Sequence, residues 1–514
     1  MSDHDVVVVG GGHNGLVCAA YLAGHGLDVV VLEARSEPGG CASTVDALGA
    51  RVNICNCDHV MVRSTPIIEE LGLGDHGLRY LDLEPHVANL TWGRRDPWFA
   101  FHDLERTLTS LAVHHPSQVE AYRRWVEDAA PIVDLILAMT DDVPTVGAAV
   151  RAAATRRGAG VARLLQWNRL SATQVLSRYF THDAVMAPIL ATAPTVWGVA
   201  PGASGTGLAA VNFAMRHRIP PGRPVGGSGA FPHAVRSVLE ARGGTVRCDA
   251  PVDRILLESG RTRGVRLESG EEIHAPMVVA AVDPYRVFVE WLDGSVPERD
   301  RWARRGSDEG YESKVDAVLS GAPRIRWMDE DALARHGVDD PLVPTLTIAP
   351  DVAGLEENHT LLREGRVGHR PVIYVNVPSV LDPSLRPDAG CHVLSLETLF
   401  TPYRLKEGWD GSDEPRRWLS LVGKVMQPGF EDTVTRYRFV GPKAYEADFR
   451  MRKGYATSFA GGPLAAMLGR EHELTRYRTS VDGLYLTGAA TFPGAGVWGA
   501  SGRNTAHVVL SDVA

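Results

Sequence analysis

At 514 residues, with 44% apolar side chains and 53 glycines, the chain is long enough for two or more domains with substantial cores. Its net charge of −9 leaves no basic excess to neutralise phosphates, which argues against a nucleic-acid partner. Six cysteines make no disulfide framework at this length, no apolar run reaches the ~18 residues of a membrane span, and Asp3 and Asp5 stand where a basic leader would begin. The expectation is a reduced, cytoplasmic protein.

The first element is the run of four valines from Val6 to Val9, the pattern of a buried parallel strand. Gly10, Gly12 and Gly15 follow with GxGxxG spacing, and His13 and Asn14 lie between the last two. The first glycine permits a tight turn, the second lets a pyrophosphate approach the backbone, and the third lets a helix pack on the strand. A helix is expected over about residues 15–25, its free N–H groups and positive dipole end facing the phosphates. Gly26 ends it, Val29 to Leu32 forms a second strand, and Glu33 stands about 20 residues beyond the glycines, where a carboxylate accepts hydrogen bonds from a ribose diol. Elements in this order specify a dinucleotide site far more strongly than the glycines alone. The turn Pro38-Gly39-Gly40-Cys41-Ala42 returns the backbone toward the phosphates, with Ala34 and Arg35 at the adenosine end.

Gly10-Gly-Gly-His-Asn-Gly-Leu16, Leu32-Glu-Ala-Arg35 and Gly39-Gly-Cys-Ala-Ser-Thr44 together resemble the N-terminus of the FAD-dependent amine oxidase and phytoene desaturase superfamily. Within it the chain is most similar to the phytoene-dehydrogenase-like oxidoreductases, the group of the pyridine nucleotide-disulphide oxidoreductase domain-containing protein 2. Many members carry an arginine after the glycine pair; Cys41 replaces it here and is not read as a covalent flavin anchor. The resemblance implies FAD and sets residues 49–61 near the flavin ring. Asp58 and His59 are therefore candidates for proton handling or substrate contact, against the plainer alternative of polar groups satisfying backbone in a buried loop. The spacing of Cys55 and Cys57 suits neither a redox pair nor a zinc site.

Residues ~75 to 223 read as mostly helical. Val150 to Leu170 is rich in arginine (Arg151, Arg156, Arg157, Arg163, Arg169), and a basic amphipathic segment can lie on a membrane. Gly158 and Gly160 interrupt it, which favours a solvated or partner-binding face. Ala191 to Gly198, with Trp197, resembles a family segment lining the substrate cavity, though a Pro-broken core element explains it equally well.

From Gly222 to Pro284 the opening rhythm returns: a helix over 231–242, a hairpin at Gly270 and a buried strand from Met277 to Val282. The resemblance makes this block part of the FAD domain, with the Val252 backbone at the adenine. Gly226-Gly-Ser-Gly229 lacks a preceding apolar strand and a closing acid, so one dinucleotide is expected. Residues ~285 to 455 include strands at Val315, Arg370 and Cys391 that suit an antiparallel substrate-side sheet, with Tyr403 and Trp409 as cavity walls.

Near the C-terminus a strand from Val481 runs into Thr487-Gly488-Ala489, and Gly494, Gly496, Val497, Trp498 and Gly499 follow before a last helix. Small residues let backbone N–H groups approach a ligand. In the family this stretch holds the ribityl-phosphate chain and the pyrimidine edge of the flavin, with Trp498 beside the ring and Trp498, Trp197 and Tyr403 toward the substrate.

The expected fold is α/β: a Rossmann-type FAD-binding domain from residues 1–75, 224–290 and 456–514, interleaved with a mixed α+β substrate domain from 76–223 and 291–455. The expected reaction converts a C–C or C–N single bond to a double bond by hydride transfer to flavin N5, on an apolar or partly apolar small molecule, with dioxygen or another electron acceptor. A redox-neutral isomerase or dehydratase, an amine or amino-acid oxidase, and a non-catalytic FAD-binding interaction protein are the alternatives. No zinc spacing or Walker lysine competes with this reading.

Overall fold

The computed structural model describes residues 2–514 except 56, 156–157, 193–197, 293–295, 306–308, 457 and 460, and the side chain of 152. Its first layer is a five-stranded parallel sheet of β1 (Val6–Val9), β2 (Val29–Leu32), β3 (Thr245–Arg247), β4 (Met277–Ala280) and β5 (Leu484–Leu486), ordered β5-β4-β1-β2-β3. Both faces of β1 are covered, which explains its unbroken apolar run. Val6 and Val8 pack on a helical layer of α1 (His13–Gly24), α2 (Ala230–Ala241) and α3 (Ala500–Val513). Val7 and Val9 pack toward a three-stranded antiparallel sheet of Val252–Glu258, Arg261–Leu267 and Glu272–His274. α1 starts two residues before the sequence pattern suggested, because Gly12 already serves as its N-terminal cap.

The second sheet has seven strands, ordered Val434–Val440, Gly310–Leu319, His392–Pro402, Ile373–Asn376, Thr345–Ala349, Val87–Thr91 and Trp98–Ala100. Its neighbours run antiparallel except for Thr345–Ala349 beside Val87–Thr91, which are parallel. The last two strands come from the stretch expected to be mostly helical, and Tyr80–Asp82 pairs with Gly222–Pro224 within the same stretch. Val87–Thr91 is buried at all five positions. So short and uniformly buried a run has no period that separates strand from helix. The remainder is helical, led by Val119–Thr140, and packs Trp98, Trp125, Trp167 and Phe213 into one core against one face of the sheet. Alternation along Ile373–Asn376 sends Tyr374 to that core and Ile373 and Val375 to the opposite one.

The arginine-rich stretch forms two helices, Val146–Thr155 and Val161–Trp167, the second opening at Gly160 with φ +80°. Arg156 and Arg157 lie outside the described residues. Among the described residues no helix is long and apolar enough to cross a membrane.

Candidate functional site

A cavity of ≈ 520 Å³ runs along the C-terminal ends of β1 and β2 and on between the parallel sheet and the seven-stranded sheet. It occupies the place where open α/β sheets bind ligands. Gly10, with φ +102°, turns the chain off β1, and its N–H donates to the Leu32 carbonyl at 2.8 Å. A Cβ on Gly15 would stand 2.1 Å from the Gly10 carbonyl oxygen, so only glycine lets α1 sit this close to β1. A Cβ on Gly12 would meet nothing within 4 Å; beside this residue the cavity is open.

The Glu33 carboxylate is held from behind, accepting from the Gly11 N–H at 2.8 Å and the Arg35 N–H at 2.9 Å. Two backbone donors fix its orientation and leave acceptor capacity for a ligand diol. The Gly39 N–H donates to the Gly11 carbonyl at 2.8 Å, so the Pro-Gly-Gly turn does come back to the glycine loop. The Arg35 guanidinium stacks on Phe449 at 4.3 Å and donates to Ser43 Oγ at 3.2 Å.

The C-terminal stretch closes the same cavity. Gly488 N–H donates to Ser501 Oγ at 3.0 Å, which couples the loop after β5 to the first turn of α3. A Cβ on Gly502 would lie 2.1 Å from the Asn14 carbonyl, so α1 and α3 touch backbone to backbone. Asn14 contacts His13 Nε2 through Nδ2 at 3.0 Å, while its buried Oδ1 has no partner among the described residues. Burial pushes the His13 imidazole down to about 4, so a neutral ring lines the glycine loop at pH 7.

Of the residues expected to hold the cofactor, Gly10, Gly12, His13, Asn14, Gly15, Glu33, Ala34, Arg35, Gly40, Cys41, Ala42, Val252, Gly488, Ala489, Gly496 and Val497 line this cavity. Gly39 and Gly494 stand outside its lining. Trp498 also stands outside: it is buried, with Nε1 donating to the Ala495 carbonyl at 3.1 Å, so its catalytic and substrate roles do not carry over. Tyr403 is displaced as a cavity wall because its hydroxyl bonds to Glu446 at the surface, and Trp409 because it packs on Trp418 and Phe439 in the core. Trp197 lies outside the described residues.

Asp58 and His59 do line the cavity, but both are already engaged. His59 Nδ1 is 2.9 Å from the Tyr80 hydroxyl and Nε2 is 2.8 Å from Ser228 Oγ. Burial, aided by His13, pushes its pKa down to about 3. With both nitrogens occupied in a neutral ring, His59 positions Tyr80 and Ser228 and has none left to exchange protons with a ligand. Asp58 Oδ1 accepts from Arg223 Nε at 2.6 Å and Oδ2 from the Thr345 hydroxyl. Burial works against its charge, yet Arg223 and Thr345 together hold the carboxyl below its usual range. Both carboxylate oxygens are thus engaged within the protein, the arrangement of the plainer alternative, a polar group satisfied in a buried loop.

The far end of the cavity is lined by residues no motif singled out: Asn212, Arg216, Tyr311, Glu312, Tyr374 and Glu397. Glu312 and Glu397 come from neighbouring strands and act on one another electrostatically, with Cys55 Sγ 3.6 Å from Glu312. Burial first, then Cys55 and Glu397, holds Glu312 well above the usual carboxyl range; burial also raises Glu397, against the pull of Lys314. Two such groups retain a shared proton. The available signal was Glu312-Ser-Lys-Val-Asp316, charges at every second position of an otherwise apolar strand.

A pH dependence follows. Above pH 4.5, where an unfolded glutamate ionises, the folded chain still binds this proton. Stability therefore falls as pH rises from that value through the raised native one. Glu312→Gln is expected to flatten the fall, read as melting temperature against pH; an unchanged slope would show that the pair holds no extra proton.

The family model for an NAD(P)-binding Rossmann-like domain matches residues 8–64. Pyridine nucleotide-disulfide oxidoreductase domain-containing protein 2 of Rattus norvegicus is 26% identical, over 99% of this chain and 94% of its own. The neurosporene-forming phytoene desaturase of Rhodobacter capsulatus is 24% identical, over 96% of this chain and 90% of its own. Among solved structures, putrescine oxidase bound to putrescine is 19% identical with a TM-score of 0.64, covering 99% of each chain. The chain thus has the fold of an FAD- or NAD(P)-binding oxidoreductase, a Rossmann-like nucleotide-binding region plus a mixed α+β domain; it is similar in sequence to the phytoene desaturases and in fold to the amine oxidases.

Proposed function

We propose that the chain is an FAD-dependent oxidoreductase that converts a C–C or C–N single bond of a small molecule into a double bond. One observation carries this reading: the cavity is continuous from Glu33 and Val252, past the glycine loop and Gly496, to a second chamber at Tyr311 and Tyr374. That is room for a dinucleotide and for a substrate at its far end. Similarity over nearly the whole length to pyridine nucleotide-disulfide oxidoreductase domain-containing protein 2 supports membership of its group.

When bound, FAD supplies the hydride acceptor at flavin N5. In this reading Glu33 takes the adenosine ribose, a role that disfavours a 2′-phosphate and hence NADP. The open space at Gly12 and the N-terminus of α1 take the pyrophosphate, with the free Asn14 oxygen beside them. Residues 488–489 and 496–497 take the ribityl and ring end. The nucleotide-binding unit is then residues 1–75, 224–290 and 456–514, and the substrate unit 76–223 and 291–455. Dioxygen or another acceptor completes the turnover, and the site of action is cytoplasmic.

The purified protein is expected to be yellow and to bleach under anaerobic addition of its substrate; a colourless protein that takes up no FAD overturns the proposal. Glu33→Ala is expected to weaken FAD about 10- to 100-fold, the ~1.4–2.7 kcal/mol of lost hydrogen bonds to a charged group, measured by flavin fluorescence on titration. Unchanged affinity would remove Glu33 from the site.

The Glu312–Glu397 pair favours a second reading. A proton held at the cavity wall suits a redox-neutral isomerisation, in which product forms without any electron acceptor.

A further inference from the structure

Arg216 follows the short helix Val211–Met215 and reaches into the far chamber of the cavity. Its Nη1 is sealed from solvent and has no hydrogen-bond partner among the described residues. Asp58, the acid whose charge acts on Arg216, gives Oδ1 to Arg223 and Oδ2 to Thr345. The Glu312–Glu397 pair is grouped with Cys55 and Lys314 instead. Lys314 is itself 3.0 Å from Asp316, which also accepts from Arg438 at 2.9 Å. Among the described residues around this chamber the acidic groups are already matched, and the Arg216 guanidinium is the positive charge left over.

A guanidinium keeps its proton even when buried, and holding it half-matched in a low-dielectric wall is costly unless a ligand brings the anion. The surroundings describe that ligand further. Phe213 lies under the guanidinium at 5.5 Å, and Tyr311 and Tyr374 add flat apolar walls. The Asn212 amide is the adjacent polar group. One guanidinium charge matches one carboxylate; a phosphate dianion would call for a second free cation, and Arg223 is committed to Asp58.

We propose that Arg216 is an anion-binding subsite and that the substrate is a small carboxylate with an apolar or aromatic body seated against Tyr311 and Tyr374. The proposal rests on the flavin reading for the chemistry, though the subsite is testable without it.

The test titrates the purified protein with benzoate and 3-phenylpropionate, and with benzyl alcohol and benzamide as uncharged counterparts. Binding is followed in the flavin absorbance band and in parallel as a shift in melting temperature. The carboxylates are expected to saturate in both readouts and to bind at least tenfold more tightly than the uncharged compounds. Arg216→Met is expected to lose at least tenfold in carboxylate affinity with flavin content unchanged, and Arg216→Lys to retain part of it. Equal binding of benzyl alcohol and the carboxylates to the wild-type protein, or undiminished carboxylate binding in Arg216→Met, overturns the subsite. A protein without flavin whose melting temperature still rises with benzoate through Arg216 refutes the flavin reading and supports the subsite.

Discussion

Arg223→Met is expected to remove about 3–5 kcal/mol of folding stability, the cost of leaving a buried charge without its partner. The Arg223 and Asp58 side chains are only 3% and 8% exposed, too little for water to replace the lost ion pair. Arg223 also donates to Asn376 Oδ1 at 2.7 Å, and Asp58 takes the Thr345 hydroxyl, so the pair joins the loop after the first sheet to two strands of the second. The double variant Asp58→Asn/Arg223→Met removes both charges and is expected to regain most of the loss. A denaturant midpoint for each protein completes the cycle. A double variant as unstable as Arg223→Met alone would show that shape, and not unpaired charge, sets the cost.

The second large effect separates two glycines of one motif. Gly15→Ala would drive a methyl group to 2.1 Å from the Gly10 carbonyl oxygen and 3.0 Å from the Ala281 methyl. Backbone cannot step aside as a side chain can, so a loss of about 1–3 kcal/mol or more is expected, with flavin lost alongside. Gly12→Ala places its methyl group in open space. Without flavin its stability should match the parent within about 0.5 kcal/mol, while FAD affinity drops about a hundredfold, ~2.7 kcal/mol. Flavin retention and melting temperature read both variants. A Gly12→Ala protein that keeps its flavin would mean that the phosphates pass elsewhere.

The glycine loop was legible in sequence because backbone conformation and close approach act through residue identity at fixed spacing. Glu33 was legible because the end of β2 fixes where its carboxylate points. Asp58 and His59 were found as cavity residues by resemblance, but the sequence did not show that both are held by other side chains. Their partners Arg223, Thr345, Tyr80 and Ser228 lie 21 to 287 residues away in the chain. Spacing carries no record of such contacts. The same holds for Trp498, Tyr403 and Trp409, whose aromatic character fits a cavity wall and a packed core alike. Arg216 had no motif around it, and its unmet guanidinium is visible only once every nearby carboxylate has been assigned a partner.

The parallel sheet has a consequence for synthesis. β1 and β2 leave the ribosome early, but β5 and α3 follow some 450 residues later, roughly 20 to 90 seconds at about 5–20 residues per second. Once β4 has been made, its edge that later meets β5 stays bare for about 200 residues of synthesis, and through the whole interval α1 lacks the helix whose Gly502 abuts Asn14. A nascent chain is therefore expected to capture no nucleotide despite its finished fingerprint. Cofactor loading becomes the closing event of maturation, and a chain stalled before α3 is left as an apoprotein for quality control to remove.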